Sequence, residues 1–231
     1  SNIDFVQVWY YMDQVIEFPL SIIELDYFKK VNLTNYTTLI LADGYYNFSE
    51  SEQKNIDEFV SNGGKVIAMG GGMTMFEDRE GYHLTKFATE EEKTNASQKE
   101  EEEELYNRFL DYEGSERRSI SAYVPGAIIE NTIDTTHPLT FGLGANYFSL
   151  KTTPAVYKLL KGAENVIYVP KKFQSFGFVG SKLKGQLAET VSFAVDAVGK
   201  GKVIYMIDNP LFRGFWENGN LLFSNALFLV D

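Results

Sequence analysis

Hydrophobic positions change their spacing several times along this chain, and each change marks an element. Residues 37–42 form a short apolar run closed by Asp43 and Gly44, which predicts a buried strand. Ile56, Phe59 and Val60 then recur at helical spacing behind Ser49 and Glu52, the S-x-x-E arrangement of a capping box, so residues 49–61 are predicted to be a helix that stops at Gly63 and Gly64. Residues 65–69 are again a strand; Gly70, Gly71 and Gly72 turn the chain, and Met73, Met75 and Phe76 resume an apolar segment. Upstream, Phe5, Val8, Trp9, Met12, Val15 and Ile16 predict an amphipathic helix over 4–16 with Asp4 as its N-cap. Pro19 ends it, and residues 20–25 read as a strand with two central isoleucines.

The second half is richer in strands. Apolar runs at 128–133, 147–151, 166–169, 176–179, 187–195 and 203–207 are separated by Gly, Pro and Asn signals, and residues 220–230 read as a closing helix. Strands alternating with helices imply parallel pairing, so the expected fold is α/β: a flavodoxin-like doubly wound, mainly parallel sheet with an added β-rich second-half lobe at about residues 119–200. A chain that starts on a helix departs from that pattern, and the expected first strand is placed in a segment not present here. Residues 77–118 break the periodicity. The glutamate runs at 90–92 and 100–104 predict a mobile acidic insertion over 88–104 rather than a cation site, because calcium loops need their ligands spread around a turn.

With 231 residues, 44% hydrophobic and 15% aromatic, the whole chain can share one core as a single domain. A net charge of −11 and an isoelectric point near 4.8 argue against nucleic acid and anionic membranes as partners, since phosphate neutralisation needs a basic surface and the lysines at 182–184 are too few. There is no cysteine, which excludes thiol chemistry and disulfides.

That exclusion matters at the turn after residues 65–69. A strand, a sharp turn and a helix start place one residue over free N–H groups, the position in which α/β enzymes present a nucleophile. Here the turn offers only glycines. The stretch from Val66 to Phe76 resembles the nucleophile turn of class I glutamine amidotransferases, with Gly70 at the cysteine position. The stretch from Ile207 to Phe212 resembles the strand end that carries that family's His-Pro-Glu, with Asn209 at the histidine and Leu211 at the glutamate. Gly44 falls at the oxyanion-hole glycine. The resemblance therefore implies an amidotransferase-like domain with a degenerate site and no catalytic residues of its own.

Longer stretches carry a second resemblance: Val8 to Gln14, Leu39 to Tyr45, Val124 to Ala127, His137 to Gly142, and above all Asn209-Pro-Leu-Phe-Arg-Gly-Phe-Trp216. They are similar to the amidotransferase-like domain found downstream of the catalytic domain in large bacterial zinc carboxypeptidases. This likeness implies an accessory domain of a secreted or periplasmic metallopeptidase, with the upstream catalytic domain as its partner and the zinc bound there. Neither His83 nor His137 has a glutamate three residues on, so this chain lacks the His-x-x-Glu zinc pair and no cofactor is expected in it.

Asp43, Gly44, Gly71, Asp208, Arg213 and Trp216 are the candidates for a ligand cleft, with Asp208 and Arg213 expected to pair across the strand end. His137, before Pro138, is expected to bond local backbone. Ser175, Ser181 and Ser192 have no histidine in a triad arrangement. Tyr45, Tyr46, Phe212, Phe215 and Trp216 suit either packing or stacking on a sugar or peptide. Three functions remain open: a non-catalytic partner of a metallopeptidase, a sugar- or peptide-binding module, and a cysteine-independent hydrolase using Asp43 or Asp208 as base.

Overall fold

The computed structural model describes residues 2–87 and 120–231, so the expected mobile insertion at 88–104 lies outside the described residues. Nine strands form one sheet: β1 (Thr38–Leu41), β2 (Lys65–Met69), β3 (Gly126–Ile133), β4 (Asn146–Lys151), β5 (Tyr157–Lys158), β6 (Glu164–Val169), β7 (Ser175–Phe178), β8 (Thr190–Val198) and β9 (Gly201–Met206). Their order is β1-β2-β9-β8-β6-β3-β4, with β5 added to β8 and β7 to β3. Strands from both halves of the chain are continuous in this sheet.

The fold is mixed α/β, and the expectation of a mainly parallel sheet is corrected. Among the described residues only β1 with β2 and β2 with β9 pair in parallel; the other pairings of the sheet are antiparallel. The physical reason lies in the connections. A helix, α3 (Glu50–Ser61), carries the chain from β1 to β2 and gives the length a parallel crossover requires. Between β8 and β9 the register pairs Val198 with Gly201, leaving a two-residue loop that can join only antiparallel neighbours.

Helices cover both faces. On one, α1 (Asn2–Tyr10) and α5 (Glu217–Phe228) bury Val8, Tyr11, Met12, Leu222, Phe223 and Ala226 over Ile67, Met69, Ile204 and Met206. On the other, α3 buries Ile56, Phe59 and Val60 over Val66, Ala68, Val203 and Tyr205. The strand residues alternate strictly between the two cores, as the period of two demands. A smaller cluster lies under α4 (Ser181–Gln186), where Leu183 and Leu187 pack against Ala127, Ile129 and Val169. Lys65 Nζ bonds the Ala226 and Leu227 carbonyls at the C-terminal end of α5, where a cation suits the helix dipole; burial pushes the Lys65 amine below its ordinary value, although the nearby Asp231 opposes this.

The capping box is present: Glu52 accepts the Ser49 backbone N–H at 2.8 Å at the start of α3. Asp4 is not the N-cap of the first helix but sits in its first turn, where a carboxylate still complements the exposed N–H groups. That helix passes into a π-turn at Tyr11–Val15 before Glu17, at φ +51°, breaks it. The strand expected at residues 20–25 is absent. None of these residues pairs with the sheet, and Leu25 opens a short helix, α2 (Leu25–Phe28). Leu20 and Ile23 instead pack against the two opposite cores without joining the ladder.

Candidate functional site

Gly70 follows β2 at φ +48°, the left-handed conformation expected of a residue on a nucleophile turn, and the chain then runs through a 3₁₀ helix, Gly70–Phe76. The elbow is therefore present. What fills it is the loop after β1. A Cβ added to Gly70 would lie 2.3 Å from the Asp43 carboxyl carbon, one on Gly71 would lie 2.0 Å from the Gly44 carbonyl oxygen, and one on Gly72 would lie 2.5 Å from the Leu41 carbonyl oxygen. Gly71 and Gly72 are thus required by one backbone pressed against another, and Gly70 by its left-handed φ, with the Asp43 carboxylate over it. Asp43 Oδ1 accepts the Gly71 N–H at 2.6 Å, so a carboxylate of the chain itself holds the donor that an oxyanion or substrate carboxylate would use.

Asp43 colours its surroundings. Tyr46 donates to the Ala42 carbonyl at 2.8 Å, and burial, reinforced by the Asp43 charge, pushes its hydroxyl up to about 12. Tyr157 bonds Glu77, and its hydroxyl is driven far above the usual tyrosine range by burial, by that bond and charge, and more weakly by Asp78 and Asp43. Lys86 lies 3.6 Å from Glu77. The elbow's neighbourhood is acidic, with carboxylates that are already engaged.

Asn209 and Leu211, the other two positions singled out by the sequence resemblance, are engaged within the fold. Asn209 donates from Nδ2 to Gln7 Oε1 at 2.7 Å and to Asp4 Oδ1 at 3.3 Å, and its Oδ1 accepts the Leu211 N–H at 2.9 Å. It ties the end of β9 to α1, a use open to an amide that both donates and accepts. Leu211 is buried in the same core as Met69 and Met206.

Asp208 and Arg213 do not form the expected pair. Asp208 is buried, with Oδ1 at 3.2 Å from Lys151 Nζ and Oδ2 accepting Ser149 Oγ–H at 2.6 Å. Lys151 also donates to the Ala155 carbonyl at 2.7 Å, and the chain of bonds continues through Ser149, Asn131 and Ser192. All five side chains are buried, which is tolerable only because each has partners. Arg213, held at φ +51°, instead places its guanidinium 5.2 Å from the centroid of the Phe212 ring. Trp216 Nε1 donates to the Phe148 carbonyl at 3.0 Å. The six cleft candidates therefore divide: Asp43, Gly44 and Gly71 meet at the elbow, Asp208 belongs to a buried network, and Arg213 and Trp216 lie on the turn beyond it. The aromatic candidates divide as well, Tyr46 stacking on Phe48 while Phe212, Phe215 and Trp216 meet edge to face.

His137 Nδ1 accepts the Leu139 N–H at 3.0 Å, the local backbone bond its position suggests. The other histidine holds a less expected place. His83 Nδ1 is 2.7 Å from Asp196 Oδ1, and its backbone N–H donates to Asp196 Oδ2 at 2.9 Å; Tyr205 donates to the same oxygen at 3.1 Å. This straps the segment after the elbow onto β8. The pattern carried a signal for it, because Asp196 interrupts the apolar run Val191-Ser-Phe-Ala-Val-Asp-Ala-Val198 at a position where the strand is still buried. Lys151 likewise occupies an inward place on β4, in step with Tyr147 and Ser149. Among the described residues, no three of His, Cys, Asp and Glu converge to hold a metal ion.

No protein-family model matches the sequence, and no curated protein is detectably similar to it. Solved structures are. A ThuA-like protein from Parabacteroides merdae aligns over 98% of this chain and 84% of its own, at 12% identity and a TM-score of 0.62. A ThuA-like protein from Bacteroides uniformis aligns over 98% and 85%, at 14% identity and a TM-score of 0.53. The β-galactosidase from Bacillus circulans sp. alkalophilus aligns over 96% of this chain but only 26% of its own, at 13% identity and a TM-score of 0.55. At such identities the shared property is the fold. It is the fold of these ThuA-like proteins.

Proposed function

We propose that this chain is a non-catalytic amidotransferase-like domain that serves a larger enzyme by packing against it or presenting substrate to it. The observation that carries the reading is the occupied elbow: glycine stands at the nucleophile position, and Asp43 holds the Gly71 N–H. Acyl transfer needs a nucleophile, a proton shuttle and a group to orient the shuttle. Gly70, Asn209 and Leu211 supply none of these, and Asn209 and Leu211 are committed to α1 and the core. Asp208, the other candidate base, has both oxygens engaged.

Helices on both faces and a parallel core of β1, β2 and β9 support a flavodoxin-like description of the first-half sheet. The alignment to a quarter of a β-galactosidase chain supports a domain that works inside a longer polypeptide. From the sequence resemblance, that polypeptide is a bacterial zinc carboxypeptidase, secreted or periplasmic, whose upstream catalytic domain is the partner and binds the zinc.

The test is an assay of the purified chain against glutamine, simple esters and C-terminal dipeptides, with and without added zinc. No turnover is expected. Turnover that follows the protein through purification and disappears in Asp43→Asn or Asp208→Asn would replace this reading with a cysteine-independent hydrolase.

A further inference from the structure

The helix α1 is apolar on two sides. Val8, Tyr11 and Met12 enter the core, and Tyr11 is fixed there by bonds to the Asn220 carbonyl and Ser224 Oγ. Val6 and Tyr10, one turn apart on the outer side, remain 47% and 46% exposed. A helix needs only one apolar face to hold its place, so the second calls for another explanation.

That outer stripe does not end at the helix. Tyr10 lies against Gly214, where an added Cβ would be 3.5 Å from its ring. The next residue, Phe215, is 59% exposed and meets Phe212 and Trp216 edge to face. Trp216 is bonded in turn to the backbone of Phe148, which is 40% exposed on β4. Val6, Tyr10, Phe215 and Phe148 thus form a connected run of exposed apolar groups, rich in the rings that dominate interface energetics.

The charge around this run is mostly negative. Residues 2–17 contain three carboxylates, Asp4, Asp13 and Glu17, and no Lys, Arg or His. Glu217 follows the turn at 212–216, and Arg213, exposed over the Phe212 ring, is the one cation in these two stretches. A second copy of this face would bring like charge to like, and an anionic membrane would be repelled equally.

We propose that the outer face of α1 and the turn at 212–216 form a docking surface for another protein whose contact patch is apolar at its centre and rimmed by Lys and Arg. This rests on the non-catalytic reading and deepens it: the domain acts through a surface, and this is the surface.

The test places the photo-crosslinking amino acid p-benzoylphenylalanine at position 215 of the full-length polypeptide in the cells that make it, and maps the crosslinked peptide by mass spectrometry. One protein is expected, joined through an apolar segment flanked by Lys or Arg; the catalytic domain of the same polypeptide counts if its segment has that composition. Crosslinking should fall at least about tenfold in Tyr10→Ala and in Val6→Lys, and likewise in about 0.5 M salt, where charge attraction is screened. It should persist in Phe176→Ala, which alters a separate exposed ring on β7. Each variant is first shown to melt within about 2 °C of the parent. A crosslink to a second copy, to an acidic or uncharged segment, to carbohydrate or to lipid overturns the proposal, as does no crosslink at all. If the chain is inert but does not crosslink, only the docking surface fails; if it turns over substrate, the non-catalytic reading fails whatever crosslinks.

Discussion

Asp43 Oδ1 lies 2.6 Å from the Gly71 nitrogen, so the elbow of this domain is closed by its own carboxylate. Restoring a side chain at Gly70 must therefore displace Asp43 as well as strain the backbone. A non-glycine residue at φ +48° costs on the order of 1 kcal/mol, and forcing a Cβ into filled space about 1–3 kcal/mol more. Gly70→Cys should lose about 2–4 kcal/mol of unfolding free energy in urea. In the Asp43→Gly background, where the colliding carboxylate is gone, the same change should lose only about 1 kcal/mol. Equal losses in the two backgrounds would show that the two residues do not share the space.

Leu211, which the sequence resemblance sets at the glutamate of the amidotransferase triad, is buried in the same core as Met69 and Met206. Leu211→Glu puts a carboxylate into an apolar core without a partner. It should destabilise by about 4 kcal/mol or more, or abolish the cooperative transition. Circular dichroism melts of Leu211→Glu and Leu211→Met compare the two directly, and the methionine variant should lose less than about 1.5 kcal/mol. A well-folded glutamate variant would mean that the site retains access to water.

The parts of this fold that were legible in the sequence are those with a local cause. The capping box at Ser49 and Glu52, the apolar runs of β2 and β9 and the glycine elbow each follow from residues within a few positions of one another. Strand direction was not legible, because it depends on how the connections lie across the sheet; the second-half runs read the same whether parallel or antiparallel. Residues 20–25 were misread for a related reason: an apolar run signals burial of some of its residues but not pairing, and here Leu20 and Ile23 pack against the cores while Ile22 stays exposed. At the site, the run of three glycines could be read directly, but Asp43 lying over it could not: that contact spans 28 residues and depends on the fit of one loop on another. Asp208 illustrates the same limit, its partner being Lys151 rather than the nearby Arg213.

Tyr46 is held up to about 12, and burial drives Tyr82, Tyr147, Tyr157 and Tyr205 further in the same direction. In the unfolded chain tyrosine ionises near 10. The folded state thus favours the protonated hydroxyls, so their contribution to stability is complete below about pH 10 and is lost as pH rises through the folded values. Urea midpoints should hold between about pH 8 and 9.5 as far as these groups are concerned, then fall steeply from about 10 upward. Tyr46→Phe should remove one tyrosine's share of the fall between about 10 and 12 and leave the share of the other four. Spectrophotometric titration should show these hydroxyls ionising together with unfolding; free ionisation in the intact fold would contradict the burial that holds them.

Lys151 and Asp208 form a buried ion pair whose two halves come from β4, at one end of the strand order, and the turn after β9, the last of the parallel-paired strands. Removing one partner strands the other charge. Lys151→Met leaves Asp208 with only the Ser149 hydroxyl and should cost about 3–5 kcal/mol. Adding Asp208→Asn removes the stranded charge while keeping an acceptor for Ser149, and should recover about half of that loss or more, because replacing a buried pair with uncharged groups is often nearly neutral. Asp208→Asn alone should be costly as well, since Lys151 then keeps only the Ala155 carbonyl and a neutral amide. A double-mutant cycle in urea measures the coupling, expected at about 1.5 kcal/mol or more. The same cycle bears on function. A catalytic base must be able to give up its native partners to a substrate, whereas a structural carboxylate shows its importance in stability. Strong coupling with unchanged inertness toward glutamine, esters and dipeptides fits Asp208 as an internal tie; negligible coupling would remove that role and reopen the hydrolase reading.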